Sequence, residues 1–124
     1  VTASSPGTIV NIASMYGKRA EKHQANYCAS KAGMLHASKV MAAELVRHGI
    51  RVNSLCPGYF LTEINRDFFN STEGQAFIQR MPSRRLGALE ELAGPFLLLA
   101  SHRATSYITG AEILVDGGHT AALL

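Results

Sequence analysis

Three short runs of β-branched and aliphatic residues, separated by longer connections, constrain the fold of this chain more than any other feature. Residues 8–13 form the first run, residues 50–56 the second and residues 112–115 the last. Runs of this length and composition predict buried β-strands. The connections are too long for hairpins and contain helical patterns, which indicates parallel strands joined by crossover helices. The expected fold class is therefore α/β with a parallel sheet.

The clearest helical pattern covers residues 26–47. Asn26 is a plausible N-cap, and Gly49 stands where a helix-ending glycine is expected. Apolar side chains fall on two sides of this helix rather than one, which predicts burial on both sides. We expect one face to cover the sheet and the other to meet a second helix, which could belong to another subunit.

The second half of the chain carries shorter signals. Ser71 or Thr72 could cap a helix that ends before Pro82, and residues 89–101 form a further apolar helical segment. Pro95 in that segment lacks a backbone donor, so we expect either a kink or a helix that begins later. Phe68 and Phe69 either fill a core or cover the substrate, and the sequence leaves both interpretations open. We interpret Asp116, Gly117 and Gly118 as a turn.

Composition and charge exclude several classes of protein. Hydrophobic residues make up 47% and charged residues 17%, which is ordinary for a folded globular chain. The net charge of +3 comes from scattered basic residues, so we expect no nucleic-acid partner. The longest aliphatic run, residues 96–100, is too short to cross a bilayer, so no membrane partner is expected either.

Local charge and metal-ligand patterns are unremarkable by the same reasoning. We interpret Lys18, Arg19, Lys22 and His23 as a solvated connection, and Arg80, Arg84 and Arg85 as solvated loop charge with an anion contact as the second possibility. Cys28 and Cys56 lack the spacing of a zinc or redox motif, which predicts free buried thiols in a reducing, cytoplasmic compartment. The histidines show no ligand spacing, so no metal site is predicted.

Residues with chemical potential fall at one edge of the predicted sheet. Ser14 follows the first strand directly, and Pro57 and Gly58 follow the second. Tyr27 and Lys31 lie in the first turns of the intervening helix, where a spacing of four puts both side chains on one face. Such a pair alone is more often an ordinary solvated helix face. Because ligands bind outside the carboxyl ends of parallel strands, the convergence favours a catalytic site.

These landmarks resemble the short-chain dehydrogenase/reductase family, and the resemblance covers essentially all 124 residues. The family's motifs occur here in order and at family spacing: Ser14, Tyr27, Lys31, residues 51–53, Pro57, Gly58, Thr62, residues 85–87, residues 98–101 and the closing segment 110–118. The resemblance implies an enzyme that uses NAD or NADP to interconvert a secondary alcohol and a ketone.

The resemblance also implies a role for each site residue. Tyr27 would be the acid/base, Lys31 would favour its phenolate and hydrogen-bond the nicotinamide ribose, and Ser14 would hold the substrate oxygen. The residues expected at the cofactor are Tyr27, Lys31, Pro57, Gly58, Phe60 through its backbone, and Thr62.

The first half of the family's domain has no counterpart here. The glycine-rich turn that holds the cofactor pyrophosphate, Gly-x-x-x-Gly-x-Gly, occurs nowhere in the 124 residues. We therefore expect residues 1–124 to be a single partial domain, the catalytic C-terminal half of a Rossmann-like doubly wound parallel sheet, without the dinucleotide-binding N-terminal half. The sequence begins without Met, and the native start is expected upstream.

Substrate and partners follow from the same resemblance. Residues 57–63 are similar to gluconate-type sugar-acid dehydrogenases, whereas the closing segments are equally similar to 3-oxoacyl carrier-protein reductases. We favour a polyol or sugar-acid substrate, with the 3-oxoacyl reductase as the alternative. A hypothesis of another class is an inactive fragment that retains an oligomerisation surface. The family relationship implies a small-molecule carbonyl or alcohol substrate and a homo-oligomer, either a dimer or a tetramer.

Overall fold

A computed structural model describes residues 6–122 and has the expected α/β architecture. Within these residues, three strands form one sheet in the order β1 (Gly7–Ile12), β2 (Ile50–Pro57) and β3 (Glu112–Val115). Both strand pairs are parallel, with Gly7 opposite Ile50 and Ser54 opposite Glu112. The predictions of three strands and of a parallel sheet are confirmed.

Five α-helices connect or follow these strands in the described part of the chain: α1 (Ala25–Leu45), α2 (Arg66–Asn70), α3 (Thr72–Arg80), α4 (Ala93–Ala100) and α5 (His102–Thr105). Short 3₁₀ turns occur at Met15–Gly17, Val46–His48 and Leu89–Leu92. Helix α1 packs on β2, and α4 packs mainly on β1.

The side chains of β2 show that α1 and α4 cover opposite faces of the sheet. Cys56 packs against Leu35 of α1, whereas the Arg51 guanidinium donates to the carbonyl of Leu99 in α4. Positions 51 and 56 are an odd number apart, so their side chains point to opposite faces. A central strand covered on both faces explains why Arg51 to Cys56 are all buried.

Strand β1 departs from the prediction of a buried strand. Its residues are half-buried or exposed, and the Ile12 side chain is 49% exposed. Among residues 6–122, β1 has a strand neighbour on one side only. An edge position leaves apolar side chains in solvent that a second neighbouring strand and its helices would cover.

Helix α1 also differs from its prediction in two respects. It begins at Ala25 with Gln24 as N-cap, so the assignment of Asn26 as N-cap is wrong, whereas Gly49 ends the following 3₁₀ turn in the left-handed conformation, at φ +72°. Burial on both sides is wrong for the described chain, because the buried residues Leu35, Ser38 and Ala42 share one face. A partner for the outer face stays a prediction.

The capping and proline predictions in the second half can be checked directly. Ser71 is the N-cap of α3, and its Oγ accepts the backbone N–H of Gly74 at 3.1 Å. Helix α4 starts only at Ala93, so Pro95 falls in the first turn, where its missing N–H has no helical partner to lose. The later start of this helix is therefore confirmed. The short helices α2 and α5 were not predicted.

In two pairs of residues, Phe68 with Phe69 and Cys28 with Cys56, the structure buries one member more deeply than the other. Phe69 is buried in a cluster with Ile78 and Met81, whereas the Phe68 side chain is 54% exposed. Phe69 thus belongs to the core, and a covering role for Phe68 stays a prediction. Both cysteines are free, but only Cys56 is buried, so the expectation of burial is wrong for the half-buried Cys28.

Residues 6–122 contain no helix long and apolar enough to span a membrane. The same residues show no group of three or more His, Cys, Asp or Glu side chains arranged to hold a metal ion.

Candidate active site

Ser14 occupies the first position after β1 and organises the turn that follows. Its side chain is buried, and Oγ accepts the backbone N–H of Tyr16 at 3.1 Å, which caps the 3₁₀ turn Met15–Gly17. A hydroxyl can accept and donate at the same time. This capping bond uses the oxygen as acceptor, so the hydroxyl hydrogen is still able to donate to a ligand oxygen.

Tyr27 and Lys31 come together as their spacing predicts. The Lys31 ammonium lies 5.6 Å from the centroid of the Tyr27 ring and donates to the backbone carbonyl of Ile12 at 3.0 Å. Ile12 is the last residue of β1, so this hydrogen bond ties the first turns of α1 to the strand end that precedes Ser14. Tyr27 itself is 40% exposed and accessible to a ligand.

Tyr16 and Tyr59, whose place in the site the sequence reasoning missed, form a hydrogen-bonded pair beside Tyr27. The ring of Tyr16 packs edge-on to Tyr27 with centroids 6.3 Å apart, and its hydroxyl is hydrogen-bonded to that of Tyr59. We call Tyr16 and Tyr59 the tyrosine pair. Burial, the largest cause, raises the pKa of both phenols, so they stay protonated at neutral pH. The available signal was positional: Tyr16 stands two residues after Ser14, and Tyr59 directly follows Gly58.

Pro57 and Gly58 lie at the carboxyl end of β2, where the chain passes close to the loop after β3. The Gly58 N–H donates to the Val115 carbonyl at 2.9 Å. A β-carbon at position 58 would lie 2.7 Å from Cα and Cβ of Asp116, closer than any ordinary contact. The glycine is therefore required by close approach rather than by an unusual backbone conformation.

Phe60 and Thr62 follow in a segment held by a side chain that the sequence reasoning also missed. Asn65 accepts the Thr62 backbone N–H through Oδ1 at 2.8 Å and donates through Nδ2 to the Phe60 carbonyl at 2.8 Å. The Gly87 carbonyl also contacts this segment, because it accepts the backbone N–H of Leu61 at 3.0 Å. An asparagine that bonds its own loop backbone is a typical turn-stabilising arrangement, and that preference was the available signal.

Asp116 has the turn role expected of it. Its carboxylate accepts the backbone N–H groups of Gly118 at 3.0 Å and Thr120 at 2.8 Å. Burial raises the pKa of this carboxyl, but the hydrogen bonds from Thr120 and Gly118 outweigh it and hold the pKa below its usual range.

The connection after Ser14 is not simply solvated, and the interpretation of Lys18 and Arg19 was wrong. Lys18 forms an ion pair with Glu112, and an Arg19 guanidinium nitrogen donates to the His119 carbonyl at 2.7 Å. Both contacts span about a hundred residues of sequence, which no local pattern reveals. Lys22 and His23 are exposed, as expected.

Comparison with known proteins shows to which family this chain belongs. A family model described as "Enoyl-(Acyl carrier protein) reductase" matches residues 1–120. The chain belongs to the short-chain dehydrogenase/reductase family. The resemblance stated from its motifs is thereby confirmed.

Individual members of the family agree with this assignment. The L-rhamnose 1-dehydrogenase (NAD(P)(+)) of Sphingomonas sp. is 44% identical over 90% of this chain and 44% of its own length. A 3-oxoacyl-[acyl-carrier-protein] reductase of Rickettsia felis is 40% identical over 90% of this chain and 46% of its own length. The chain thus spans about half the length of these curated relatives.

Among solved structures, a gluconate 5-dehydrogenase from Burkholderia cenocepacia in complex with NADP and tartrate superposes with a TM-score of 0.88. It is 37% identical, and the match covers 95% of this chain and 46% of that one. The Rossmann-like fold expected for this short-chain dehydrogenase/reductase chain is therefore confirmed.

The site as a whole combines a hydroxyl, a phenol and an ammonium group at one sheet edge. Ser14 is linked to Tyr27 through Tyr16, and Tyr59 connects Tyr16 to the segment that follows Gly58. An arrangement with one hydroxyl donor, one phenol and one nearby cation can hold a carbonyl oxygen and exchange a proton with it.

Proposed function

We propose that the protein containing this chain is an NAD(P)-dependent oxidoreductase that interconverts a secondary alcohol and a ketone by hydride transfer. The observation that carries the proposal is the anchoring of Lys31 between the Ile12 carbonyl, at 3.0 Å, and the Tyr27 ring, at 5.6 Å. This anchoring fixes a positive charge beside a phenol that is open to a ligand. The names of the relatives, which are dehydrogenases and reductases, support the same reaction class.

Each of the three residues has one step in this proposal. Tyr27 donates its phenolic proton to the substrate oxygen in reduction and takes a proton from the alcohol in oxidation. Lys31 stabilises the phenolate that this transfer leaves behind. The Ser14 hydroxyl donates to the same substrate oxygen and stabilises the negative charge that develops there.

The donor set of the chain fits the nicotinamide end of the cofactor. Lys31 has an ammonium with three donors, of which the Ile12 carbonyl takes one, and the loop of Phe60 and Thr62 is held rigidly by Asn65. We assign Tyr27, Lys31, Pro57, Gly58, the Phe60 backbone and Thr62 to cofactor binding. When bound, NAD(P) supplies the hydride, while the protein supplies orientation and the proton.

For the substrate we favour a polyol or a sugar acid. The relative named as a rhamnose dehydrogenase and the structure named as a gluconate dehydrogenase support this choice. The relative named as a 3-oxoacyl carrier-protein reductase, at 40% identity, supports the alternative of a thioester substrate. The cytoplasmic location and the dimeric or tetrameric state stay predictions.

The test uses the full-length gene product and a Tyr27→Phe variant. Steady-state turnover should fall by about 10²- to 10⁴-fold, which is the usual contribution of a general acid or base. Tyr107→Phe is the matched control, because the Tyr107 side chain is fully exposed and should leave turnover unchanged. Cofactor binding, followed by nucleotide fluorescence, should be unchanged in Tyr107→Phe and weaker but still measurable in Tyr27→Phe, because the other residues assigned to the cofactor remain.

The outcomes separate the competing functions. Turnover of Tyr27→Phe at the level of Tyr107→Phe would refute the catalytic assignment. A preference for 3-oxoacyl thioesters over polyols and sugar acids would favour the alternative substrate. Absence of both turnover and cofactor binding, together with stable self-association in ultracentrifugation, would favour the inactive fragment. The exposed side chains of Val40 on α1 and of Val46 in the 3₁₀ turn that follows are the observation that supports this hypothesis.

A further inference from the structure

A cavity of about 300 Å³ beside the tyrosine pair has no role in the proposed hydride transfer. Its lining combines two arginines and a histidine with one acidic and two apolar side chains: Arg19, Glu21, Phe77, Arg80, Met81 and His119. A concave site with a few converging polar groups on apolar walls is typical of small-molecule binding.

The tyrosine pair connects this cavity with Tyr27. The Tyr16 ring packs on Tyr27 at 6.3 Å, and the Tyr59 ring packs on His119 at 5.7 Å, both measured between centroids. The Tyr16 hydroxyl also lies 3.5 Å from the Glu21 carboxylate in the cavity wall. The tyrosine pair thus contacts both the proposed acid/base and the wall of the cavity.

His119 is a buried polar side chain in the wall of this cavity. Its side chain is only 5% exposed, and Nδ1 is buried without a hydrogen-bond partner among the described residues. Burial and the neighbouring Arg19 lower the pKa of the imidazole, so the ring is neutral near pH 7 and has one donor and one acceptor. The neutral ring adds no charge to the cavity wall, so the charged groups there are Arg19, Arg80 and Glu21.

The charges around the cavity indicate which kind of ligand group it can bind. Arg19 is fixed in the wall because its guanidinium donates to the His119 carbonyl at 2.7 Å. The Glu21 carboxylate offsets one of the two positive charges, and it also accepts the backbone N–H of Lys22 at 3.1 Å. One net positive charge remains, with guanidinium donors suited to a carboxylate.

We propose that this cavity binds the carboxylate of the substrate, so that the protein acts on sugar acids rather than on neutral polyols. The proposal rests on the proposed function and narrows its substrate class. The carboxylate contacts Arg19, Arg80 and the His119 ring, and the tyrosine pair borders the hydroxyl-bearing carbons between that carboxylate and the reacting carbon.

The experiment compares matched substrates with the full-length protein. Five- and six-carbon aldonates and the corresponding alditols, for example gluconate and glucitol, carry the same hydroxyl chain and differ in whether one end is a carboxylate. The wild-type kcat/KM should favour the aldonates. In Arg19→Gln and Arg80→Gln the KM for aldonates should rise about tenfold or more, the effect of losing one charge-assisted hydrogen bond, while kinetics with alditols stay within about threefold.

Arg84→Gln is the matched control, because this exposed arginine is not among the residues that line the cavity. It should behave as wild type with both substrates. Arg80 is also exposed, so its variant remains informative even if Arg19→Gln fails to fold.

Four results would overturn the proposal. Equal KM changes for aldonates and alditols, or a wild-type preference for alditols, would refute the carboxylate subsite and leave the hydride-transfer function standing. Selective loss for acetoacetyl-CoA instead would assign the cavity to a phosphate group. No turnover of any alcohol or ketone with NAD or NADP would refute the proposed function itself.

Discussion

Replacement of Gly58 by alanine should damage both stability and cofactor use. The new Cβ would lie 2.7 Å from Cα and Cβ of Asp116, which is about 0.7 Å short of the 3.4 Å at which ordinary contact begins. Neither atom can swing aside as a side-chain end would, because one is backbone and the other is directly bonded to it. The Asp116 carboxylate is also held by two backbone N–H groups, at 3.0 and 2.8 Å.

The strand ends must therefore move apart by roughly the missing distance. Overpacking of this kind costs about 1–3 kcal/mol in the free energy of unfolding. A displacement of the order of 1 Å next to a reacting centre can lower turnover by about 10²-fold. Urea unfolding at constant m-value and steady-state kinetics of the full-length Gly58→Ala variant measure the two effects.

Gly33→Ala is the matched control for this experiment. Gly33 lies inside α1, and a Cβ there would meet no atom within 4 Å. The substitution should stabilise the protein by about 0.5–1 kcal/mol, because alanine loses less conformational entropy in a helix. If Gly58→Ala unfolds at the wild-type urea concentration and keeps the wild-type cofactor KM, close approach is not the reason for this glycine.

Two further predictions concern residues that hold other parts of the site. Asn65→Ala should raise the cofactor KM about tenfold with little change in kcat, because the substitution removes the two hydrogen bonds that hold the backbone of Phe60 and Thr62. Steady-state kinetics at saturating substrate measure both constants, and a fall in kcat without a rise in KM would contradict this explanation. Glu112→Gln should lower the free energy of unfolding by about 1 kcal/mol at pH 7, because it removes the ion pair with Lys18. The hydrogen bond with Lys18 is the largest cause of the lowered pKa of Glu112. A carboxyl with a lowered folded-state pKa stabilises the fold above its unfolded-state pKa and loses that effect as pH falls through the folded-state pKa. The difference from wild type in urea unfolding should therefore shrink as the pH falls below about 4.3, the ordinary glutamate pKa, and a gap at pH 3 as large as that at pH 7 would refute the ion-pair explanation.

Local sequence signals predicted the elements that are stabilised locally. The run of β2, the left-handed Gly49 and the Ser71 cap each depend on a few neighbouring residues, and each occurs where the sequence indicates. The spacing of Tyr27 and Lys31 likewise needs only the period of a helix. The lengths of the connections extended this to a parallel sheet, and the family resemblance extended it to a Rossmann-like fold.

Contacts between distant residues could not be read from the sequence. Arg19 meets His119, a hundred positions away, and Tyr16 meets Tyr59 across the strand ends, so neither partner is implied by its neighbours. The exposure of β1 was missed for a related reason. Its composition is that of a buried strand, but burial depends on what lies beside it.

The contacts that position the proposed catalytic groups share one property, which is that they use backbone atoms at or near strand ends. Lys31 bonds the Ile12 carbonyl, Ser14 bonds the Tyr16 N–H, and Asn65 bonds the backbone on both sides of Leu61. Of these partners, Ile12 is fixed by its pairing with Leu55 in the sheet, whereas Tyr16, Phe60 and Thr62 lie in the segments that follow strand ends. The geometry that we propose for proton transfer thus depends on contacts within residues 6–122. In the proposed function, substrate choice depends instead on side-chain contacts at the cavity and the tyrosine pair, so we expect that it can change while the proton chemistry stays the same.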